Sequence, residues 1–170
     1  MRSAHMLASS LLAAMAPLAA SQANADDRDV REYALTVAQI AAGIVNLAGS
    51  EDNAVALVES LRGGAPVRLI AAANDDAVPA VTMIEPPTGP MDWSDVRMAL
   101  MLARDALANV GIYRPAAEQL RAVLVGGEFA APGGRVAGFR GVLQMRADGF
   151  NWGRIASQRF HRPAVARIDP

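Results

Sequence analysis

The chain has 170 residues, among them 16 basic and 17 acidic side chains, and no cysteine. Without cysteine it can form no disulfide, and a thiolate nucleophile or a cysteine-bound metal ion is excluded. The charge is unevenly divided: residues 26–113 carry 13 acids against 6 arginines, whereas residues 114–170 carry 4 acids against 9 arginines. This asymmetry gives either a dipolar molecule or two halves that attract each other.

The first 25 residues have the three parts of a secretory signal peptide. Arg2 supplies the positive start, an apolar run extends from Met6 to Ala20, and an A-x-A cleavage site precedes the acidic DDRD. The run is shorter than the ~20 apolar residues that span a bilayer. The sequence therefore predicts a signal peptide over residues 1–25, cleavage after Ala25, and a periplasmic or secreted protein without a transmembrane segment in its mature form. The alternatives are an uncleaved anchor and a buried helix.

Two helices and a hairpin are predicted for the first half. Apolar residues at alternating spacings of three and four mark the inward face of a long first helix that ends near Gly49: Val30, Tyr33, Val37, Ile40, Ile44 and Leu47. Ser50 is expected to cap a second helix that ends at Gly63–Gly64, with Val55, Val58 and Leu61 inward. Two β-prone runs around a polar turn then predict a hairpin within residues 66–85.

The second half is predicted to continue the same order. Asp92 caps a helix that is buried on most sides, with Trp93, Val96, Leu100, Ala103, Leu107 and Val110 inward and Met98, Met101 and Leu102 beside them. Pro115 opens another helix in its first turn, and this helix ends at Gly126–Gly127. A tight hairpin follows, turning at residues 132–134. A short helix carrying Phe139, Val142 and Leu143 ends at Gly149, and Asn151 caps the last helix, which carries Trp152, Ile155, Ala156 and Phe160.

These elements predict a mainly helical α+β protein with one domain over residues 26–160 and a polar tail over residues 161–170. LVESLRGG matches LRAVLVGG, and DWSDV matches NWGRI, so we expect two similar helix–helix–hairpin–helix halves at about 30–97 and 98–160. Asp92 and Asn151 are then structural caps. Trp93 and Trp152 are structural as well, each ring anchoring its helix against its own hairpin.

Few residues suit catalysis. His161 is the single histidine after Ala25, so no zinc motif is possible, and neither a metal ion nor a cofactor is predicted. Glu51–Asp52 fit a helix start, and Asp75–Asp76 fit a solvated turn. Glu85 and Glu128 flank the two hairpins in corresponding places, which leaves a small hydrolase or lyase with paired carboxylates as an alternative function.

The C-terminal segment combines arginines with aromatic rings. Arg154, Arg159, Arg162 and Arg167 stand near Phe160 and His161. Cationic side chains beside aromatic rings suit an anionic surface or an acidic envelope protein as partner; a solvated helix face is the simpler interpretation. A helix-turn-helix in FNWGRIAS is the second alternative function, but export argues against a nucleic-acid partner. The leading hypothesis is an exported, non-enzymatic binding or structural accessory protein.

Three segments resemble a group of small exported proteobacterial proteins: PPTGPMDWSDVRMALMLA, GIYRPAAEQLRAVLVGG and GVLQMRADGFNWGRIA. The recurring pattern of that group is PPTGPMx(W/Y), a GIxxPxxxQL helix and GVLxxRxxGxxWGxIA. The likeness covers residues 85–156. It implies export and a place for the second tryptophan within the fold, and it implies no particular activity. Asp92 and Ser94 stand where the group commonly has glycine, so no special backbone conformation is implied there.

Overall fold

A computed structural model of the chain describes residues 16–71, 80–158 and 162–164, with the backbone alone at 16–26 and 162–164. The fold is α+β and mainly helical, as the sequence predicts. The helices in these ranges are α1 (Ala16–Ala42), α2 (Val45–Ala48), α3 (Glu51–Gly63), α4 (Trp93–Ala108), α5 (Ala117–Val125), α6 (Val142–Ala147) and α7 (Trp152–Ser157). The strands are β1 (Val67–Ile70), β2 (Val81–Ile84), β3 (Gly127–Ala131), β4 (Arg135–Phe139) and β5 (Arg162–Ala164). None of the described helices combines the length and the apolar character needed to cross a membrane.

The chain divides into two compact units, and the boundary follows Thr36 within α1. In the first unit, the described side chains of α1 include three large exposed ones, Val30 (67% exposed), Tyr33 (42%) and Leu35 (72%). The prediction that Val30 and Tyr33 face inward is therefore wrong. The rest of the predicted stripe belongs to the second unit and is buried there: Val37, Ile40, Ile44 and Leu47. The prediction of one long helix ending near Gly49 is also wrong, because α1 ends at Ala42 and Leu47 lies in the separate short helix α2.

The second unit is built around α3, α4 and α5, which supply most of its fully buried side chains: Leu57, Leu61, Leu100, Leu107, Leu120 and Leu124. Two inward assignments from the sequence are wrong. Val55 is 37% exposed and Met101 is 40% exposed. Both belong to amphipathic helices whose buried stripe is narrower than the apolar pattern predicted.

The first sheet is an antiparallel pair, β1–β2, in which Val67 lies opposite Ile84 and Ile70 opposite Val81. The buried Asn53 of α3 closes the outer edge of β1. Its side-chain amide donates to the Ile70 carbonyl at 2.9 Å and accepts from the Ile70 N–H at 3.0 Å, and it also donates to the Ala48 carbonyl at 3.0 Å. One side chain thus satisfies both backbone groups of Ile70 and fixes the sheet to α2 and α3.

The second sheet has the order β3–β4–β5, with all pairs antiparallel. The turn between β3 and β4 falls at residues 132–134, as the sequence predicts. Phe139 belongs to β4, where its ring stacks on Phe129 at 5.3 Å between centroids, and not to the following helix. The third strand, β5, comes from the segment expected to be a polar tail, and its Arg162 lies opposite Gly138.

Two glycines allow close crossings of the backbone. Gly64 ends α3 in a left-handed conformation with φ of +70°, and a Cβ there would lie 2.5 Å from Gly89 C. Gly141 precedes α6 with φ of +89°, and a Cβ there would overlap the backbone of Val125. Only glycine combines this φ with the absence of a side chain. The two crossings set how α3 and α6 meet the segments next to them.

The two halves do not repeat each other element for element. α4 follows the first hairpin through an extended connector, whereas α6 stands between the second hairpin and α7. The helix predicted to open at Pro115 begins at Ala117. Ala116 directly precedes this helix, and its backbone N–H donates to the Gln119 side chain at 2.9 Å.

Candidate functional site

The two tryptophan helices begin with the same type of cap. The Asp92 carboxylate accepts the N–H of Asp95 at 2.8 Å before α4, and the Asn151 side chain accepts the N–H of Arg154 at 2.8 Å before α7. Each cap satisfies one of the N–H groups that the first turn of a helix leaves without a partner.

An arginine lies over each tryptophan ring. The Arg62 guanidinium is 5.2 Å from the Trp93 centroid, and Arg62 donates to the Met91 carbonyl at 2.9 Å. Arg146 is 5.1 Å from the Trp152 centroid and donates to the Phe150 carbonyl at 3.4 Å. In both cases the acceptor stands two residues before the tryptophan.

We call each set of contacts a tryptophan segment: the first joins the end of α3 to residues 91–95, and the second joins the end of α6 to residues 150–154. The two segments also share a backbone hydrogen bond. Met91 N–H donates to the Leu61 carbonyl at 3.2 Å, and Phe150 N–H donates to the Met145 carbonyl at 3.1 Å. Leu61 and Met145 each directly precede the arginine of their segment. Sequence reasoning missed both arginines. The signal that could have found them is an arginine after a buried Leu or Met at a helix end.

Asp95 of α4 joins the two segments. Its carboxylate accepts the indole N–H of Trp152 at 2.6 Å and a guanidinium N–H of Arg146 at 3.2 Å. The Asp95 side chain is 23% exposed and that of Arg146 36%. Trp152 therefore ties α7 to α4 and α6, whereas the sequence prediction assigned its ring to the β3–β4 hairpin. Nothing in the sequence pairs residues 95 and 152.

Phe150 carries two arginines on an exposed surface. The guanidinium carbon of Arg154 lies 4.2 Å from the ring centroid and that of Arg140 lies 5.0 Å from it. Arg140 also forms an ion pair with Asp148 at 2.8 Å. Within the described parts of the chain, Arg154 has no carboxylate partner. Its guanidinium lies against the ring, and the residue is exposed.

Of the four arginines predicted to form an anionic-surface site, Arg154 is the one whose side chain is described. Arg162 has its backbone in β5, opposite Gly138 of β4, and Arg140 directly follows the end of β4. Arg159 and Arg167 lie outside the described residues, as does His161.

The candidate acid–base residues are separated. Glu85 follows β2 and Glu128 lies in β3 of the other sheet; both are exposed, and no hydrogen bond links the two among the described side chains. Glu51 and Asp52 occupy the first turn of α3, where Ser50 caps the helix at 3.1 Å from Asn53 N. Asp75–Asp76 lie outside the described residues. Within the described chain, no three His, Asp or Glu side chains group as metal ligands.

Three of the carboxyl groups whose side chains the structure describes have a lowered pKa, and each has a structural cause. The backbone N–H of Asp95 lowers the pKa of Asp92. The Arg121 side chain, followed by the Thr82 hydroxyl, lowers that of Glu118, and the Gln144 amide, followed by Arg140, lowers that of Asp148. Hydrogen bonds to the charged form thus keep these groups ionised. A general acid needs the opposite shift, so none of the three suits that role.

A groove opens between the end of α1 and α4, with a volume of about 230 Å³. Its floor is apolar, from Ile40, Ile44, Leu100 and the half-exposed Met101, and Gly43 leaves it open on one side. Arg97 and Arg104 border it, seven residues apart on α4. Arg97 contacts the Gln39 side chain at 3.4 Å. The groove therefore combines an apolar floor with two cations.

A second cavity of about 530 Å³ lies between the C-terminal parts of α4 and α7. Asp105, Asn109, Ser157 and Gln158 give it a polar lining, with Met101 and Leu102 on one side. Asp105 is the one charged residue in its lining, so the cavity indicates no particular class of ligand.

Comparison with known proteins adds no relative: no protein-family model, curated protein or solved structure matches the chain.

Proposed function

We propose that the chain is an exported, non-enzymatic binding or accessory protein that holds anionic surfaces through its C-terminal arginines. The observation that carries the proposal is the cluster at Phe150, where Arg154 is exposed and stacked on the ring at 4.2 Å. A stacked guanidinium loses less side-chain freedom on binding than a free one, and its planar donors match phosphate and carboxylate groups.

The register of the second sheet supports a wider basic surface. Arg162 lies opposite Gly138, and Arg140 follows two residues after Gly138. The proposal therefore includes Arg140 beside the four arginines expected from the sequence. It also includes export, with cleavage after Ala25 and a periplasmic or extracellular destination. An anionic lipid, a polyanion or an acidic envelope protein carries the chemistry that this surface would bind.

Binding to vesicles tests the proposal directly. The purified chain, with its N-terminus established by mass spectrometry, is sedimented with phosphatidylcholine vesicles that do or do not contain phosphatidylglycerol. Each arginine near an anionic membrane contributes about 1 kcal/mol. The double variant Arg140→Gln and Arg154→Gln should therefore bind roughly thirtyfold more weakly to the anionic vesicles.

The matched control removes the same charge elsewhere. Arg68 and Arg114 are both exposed, and Arg68→Gln with Arg114→Gln should leave vesicle binding unchanged. An equal loss in the control would show that net charge alone attracts the protein. No binding of the unaltered chain to anionic vesicles would reject anionic lipid as the ligand of this surface.

We further propose that the two tryptophan segments are copies of one structural unit. Both segments have an arginine over the ring, a hydrogen bond from that arginine to a carbonyl, a backbone hydrogen bond and a helix cap. These shared contacts align the end of α3 with the end of α6. This alignment differs from the one expected from the paired glycines, which matched α3 with α5. If the units are equivalent, exchanging the caps (Asp92→Asn with Asn151→Asp) should preserve cooperative thermal unfolding at neutral pH.

A further inference from the structure

The groove between the end of α1 and α4 is small and has an apolar floor. Ile40, Ile44 and Leu100 lie at the floor, and the groove holds about 230 Å³. Sites for drug-sized ligands usually enclose about 300–1,000 Å³, so a smaller ligand fits here. Since a water-sized group takes about 30 Å³ of liquid volume, the groove has room for a chain of roughly seven such groups.

The two arginines at the border of the groove differ in how their charge is neutralised. Arg104 forms an ion pair with the adjacent Asp105, at 3.7 Å between Nε and Oδ1. Arg97 has no carboxylate partner among the described side chains, and its guanidinium donates to the neutral Gln39 side chain at 3.4 Å. Seven residues of a helix span roughly 10 Å, so the unneutralised cation lies toward one end of the groove. A ligand that matches this pattern is anionic at one end and apolar along the rest.

We propose that the α1–α4 groove binds a straight-chain alkyl carboxylate of about six to eight carbon atoms. Its carboxylate pairs with Arg97, whose planar guanidinium offers two parallel hydrogen bonds to such a group. Its alkyl chain covers Ile44 and Leu100 and reaches the half-exposed Met101. Both surfaces lose contact with water, and the flexible methionine side chain adapts to the chain beside it.

A series of carboxylates of increasing length tests the fit. Butanoate, hexanoate, octanoate and decanoate are titrated, below their micellar concentrations, into the isotope-labelled full chain. The amide signal of Gly43, which lines the groove, is followed by NMR and is assigned by its loss in Gly43→Leu. Each buried methylene adds up to about fourfold in affinity. Affinity should therefore rise as far as octanoate and level off at decanoate, because the groove is then full. A rise that continues through decanoate would mean general adsorption to apolar surface and would overturn the proposal.

Replacing the unpaired arginine tests the charge. Arg97→Gln should weaken octanoate binding up to about fivefold, the upper range for an exposed ion pair. It should leave unchanged the binding of octanol, which has the same chain length and no charge. Arg68→Gln is the matched control, because it removes the same net charge from an exposed position that does not line the groove. Equal losses for the two variants, or an equal loss of octanol binding in Arg97→Gln, would contradict a carboxylate paired with Arg97.

Filling the groove tests the location and leaves every charge in place. Gly43 lacks a left-handed φ and has one neighbour, at 3.4 Å, near the position of an added Cβ. Gly43→Leu should therefore fold, and it should remove measurable binding of both octanoate and octanol, detected by saturation transfer from protein to ligand. Gly63→Leu is the matched control, since an added Cβ there meets nothing within 4 Å and the position does not line the groove.

Two further results would overturn the proposal, provided that circular dichroism shows each variant folded. The first is an unaltered chain whose Gly43 amide signal does not shift with octanoate. The second is undiminished octanoate binding in Gly43→Leu, which would place the ligand elsewhere. Arg97 is not among the arginines of the proposed anionic-surface site, and the ligands are monomeric. These results therefore stand whether or not the chain binds anionic vesicles.

Discussion

The two tryptophan segments reach the same contacts through very different connections. Between Arg62 and Trp93 the chain makes the whole β1–β2 hairpin, whereas between Arg146 and Trp152 it makes only the turn that ends α6. Both arginines nevertheless lie about 5 Å from the ring centroid and donate to the carbonyl two residues before it. The contact set is therefore a property of the helix end and the following cap, and it tolerates an insertion between them.

The segments differ in what surrounds the arginine. Arg146 donates to Asp95, which also accepts the Trp152 indole N–H. The Nε of Arg62, by contrast, is buried and has no hydrogen-bond partner among the described residues. The second segment is thus bound to the first through a carboxylate, and the first supplies that carboxylate from its own helix. Asp95 connects the two tryptophan segments, and replacing it should separate them.

The largest effect is expected when the second ring is removed. Trp152→Ala leaves a cavity beside the core and takes away partners of both Arg146 and Asp95. Large-to-small changes of buried aromatic residues cost 3–5 kcal/mol; since Trp152 is only half-buried, we expect about 3 kcal/mol of lost unfolding free energy. Guanidinium denaturation followed by circular dichroism measures the loss. A stable Trp152→Ala variant that fails to bind anionic vesicles would instead make the ring part of the binding site.

Replacing one tryptophan at a time shows whether the two tryptophan segments unfold together. Trp93→Phe and Trp152→Phe each leave a single indole as a fluorescent reporter, because the chain has two tryptophans. In Trp93→Phe, which keeps the hydrogen bond from the Trp152 indole to Asp95, the fluorescence and circular dichroism transitions should coincide. Separate transitions would mean that Asp95 does not couple the two segments.

Removing the coupling carboxylate should have the next largest effect. Asp95→Ala takes away the acceptor of a charged hydrogen bond and of the indole N–H, and hydrogen bonds to charged groups contribute about 1.5–3 kcal/mol. We expect a loss of about 2 kcal/mol. The matched control is Asp105→Ala on the same helix, whose carboxylate is 57% exposed; a surface ion pair of this kind contributes less than about 1 kcal/mol. Equal losses for the two variants would reduce Asp95 to an ordinary surface acid.

The sequence predicted the local part of this arrangement and missed the part that spans the chain. Asp92, Asn151 and Ser50 are recognisable as caps because each capping side chain accepts from the backbone N–H only three residues later. The hairpin turn at residues 132–134 is likewise encoded by adjacent residues. Asp95 and Trp152 stand 57 residues apart, and no periodicity or composition pairs them.

The burial of a side chain was predicted least well where it depends on another element of the fold packing over that side chain. Val30, Val55 and Met101 lie on apolar helix faces, yet each is exposed. A helical pattern gives the direction of a face but not the distance over which another element covers it.

The smallest effect distinguishes the two caps by pH. Asp92 and Asn151 make the same hydrogen bond to the N–H three residues on, but only Asp92 titrates. The N–H of Asp95 lowers the pKa of Asp92 below its ordinary value of 3.8. Its ionised form therefore stabilises the folded state above pH 3.8, and this contribution is lost as the pH falls through the lower folded pKa.

Melting temperatures of the unaltered chain and of Asp92→Asn, measured between neutral pH and the acid limit of reversible unfolding, follow that contribution. The unaltered chain should melt at a higher temperature than Asp92→Asn at neutral pH. This difference should disappear in acid, because an asparagine cap keeps its hydrogen bond at every pH. Asn151→Ala is the reference for an uncharged cap: it should lower stability by about 1 kcal/mol, and by the same amount across the range. A pH-independent difference between the unaltered chain and Asp92→Asn would mean that the charge of Asp92 adds nothing to its hydrogen bond. The two segments would then be equivalent at their caps and would differ only at Asp95.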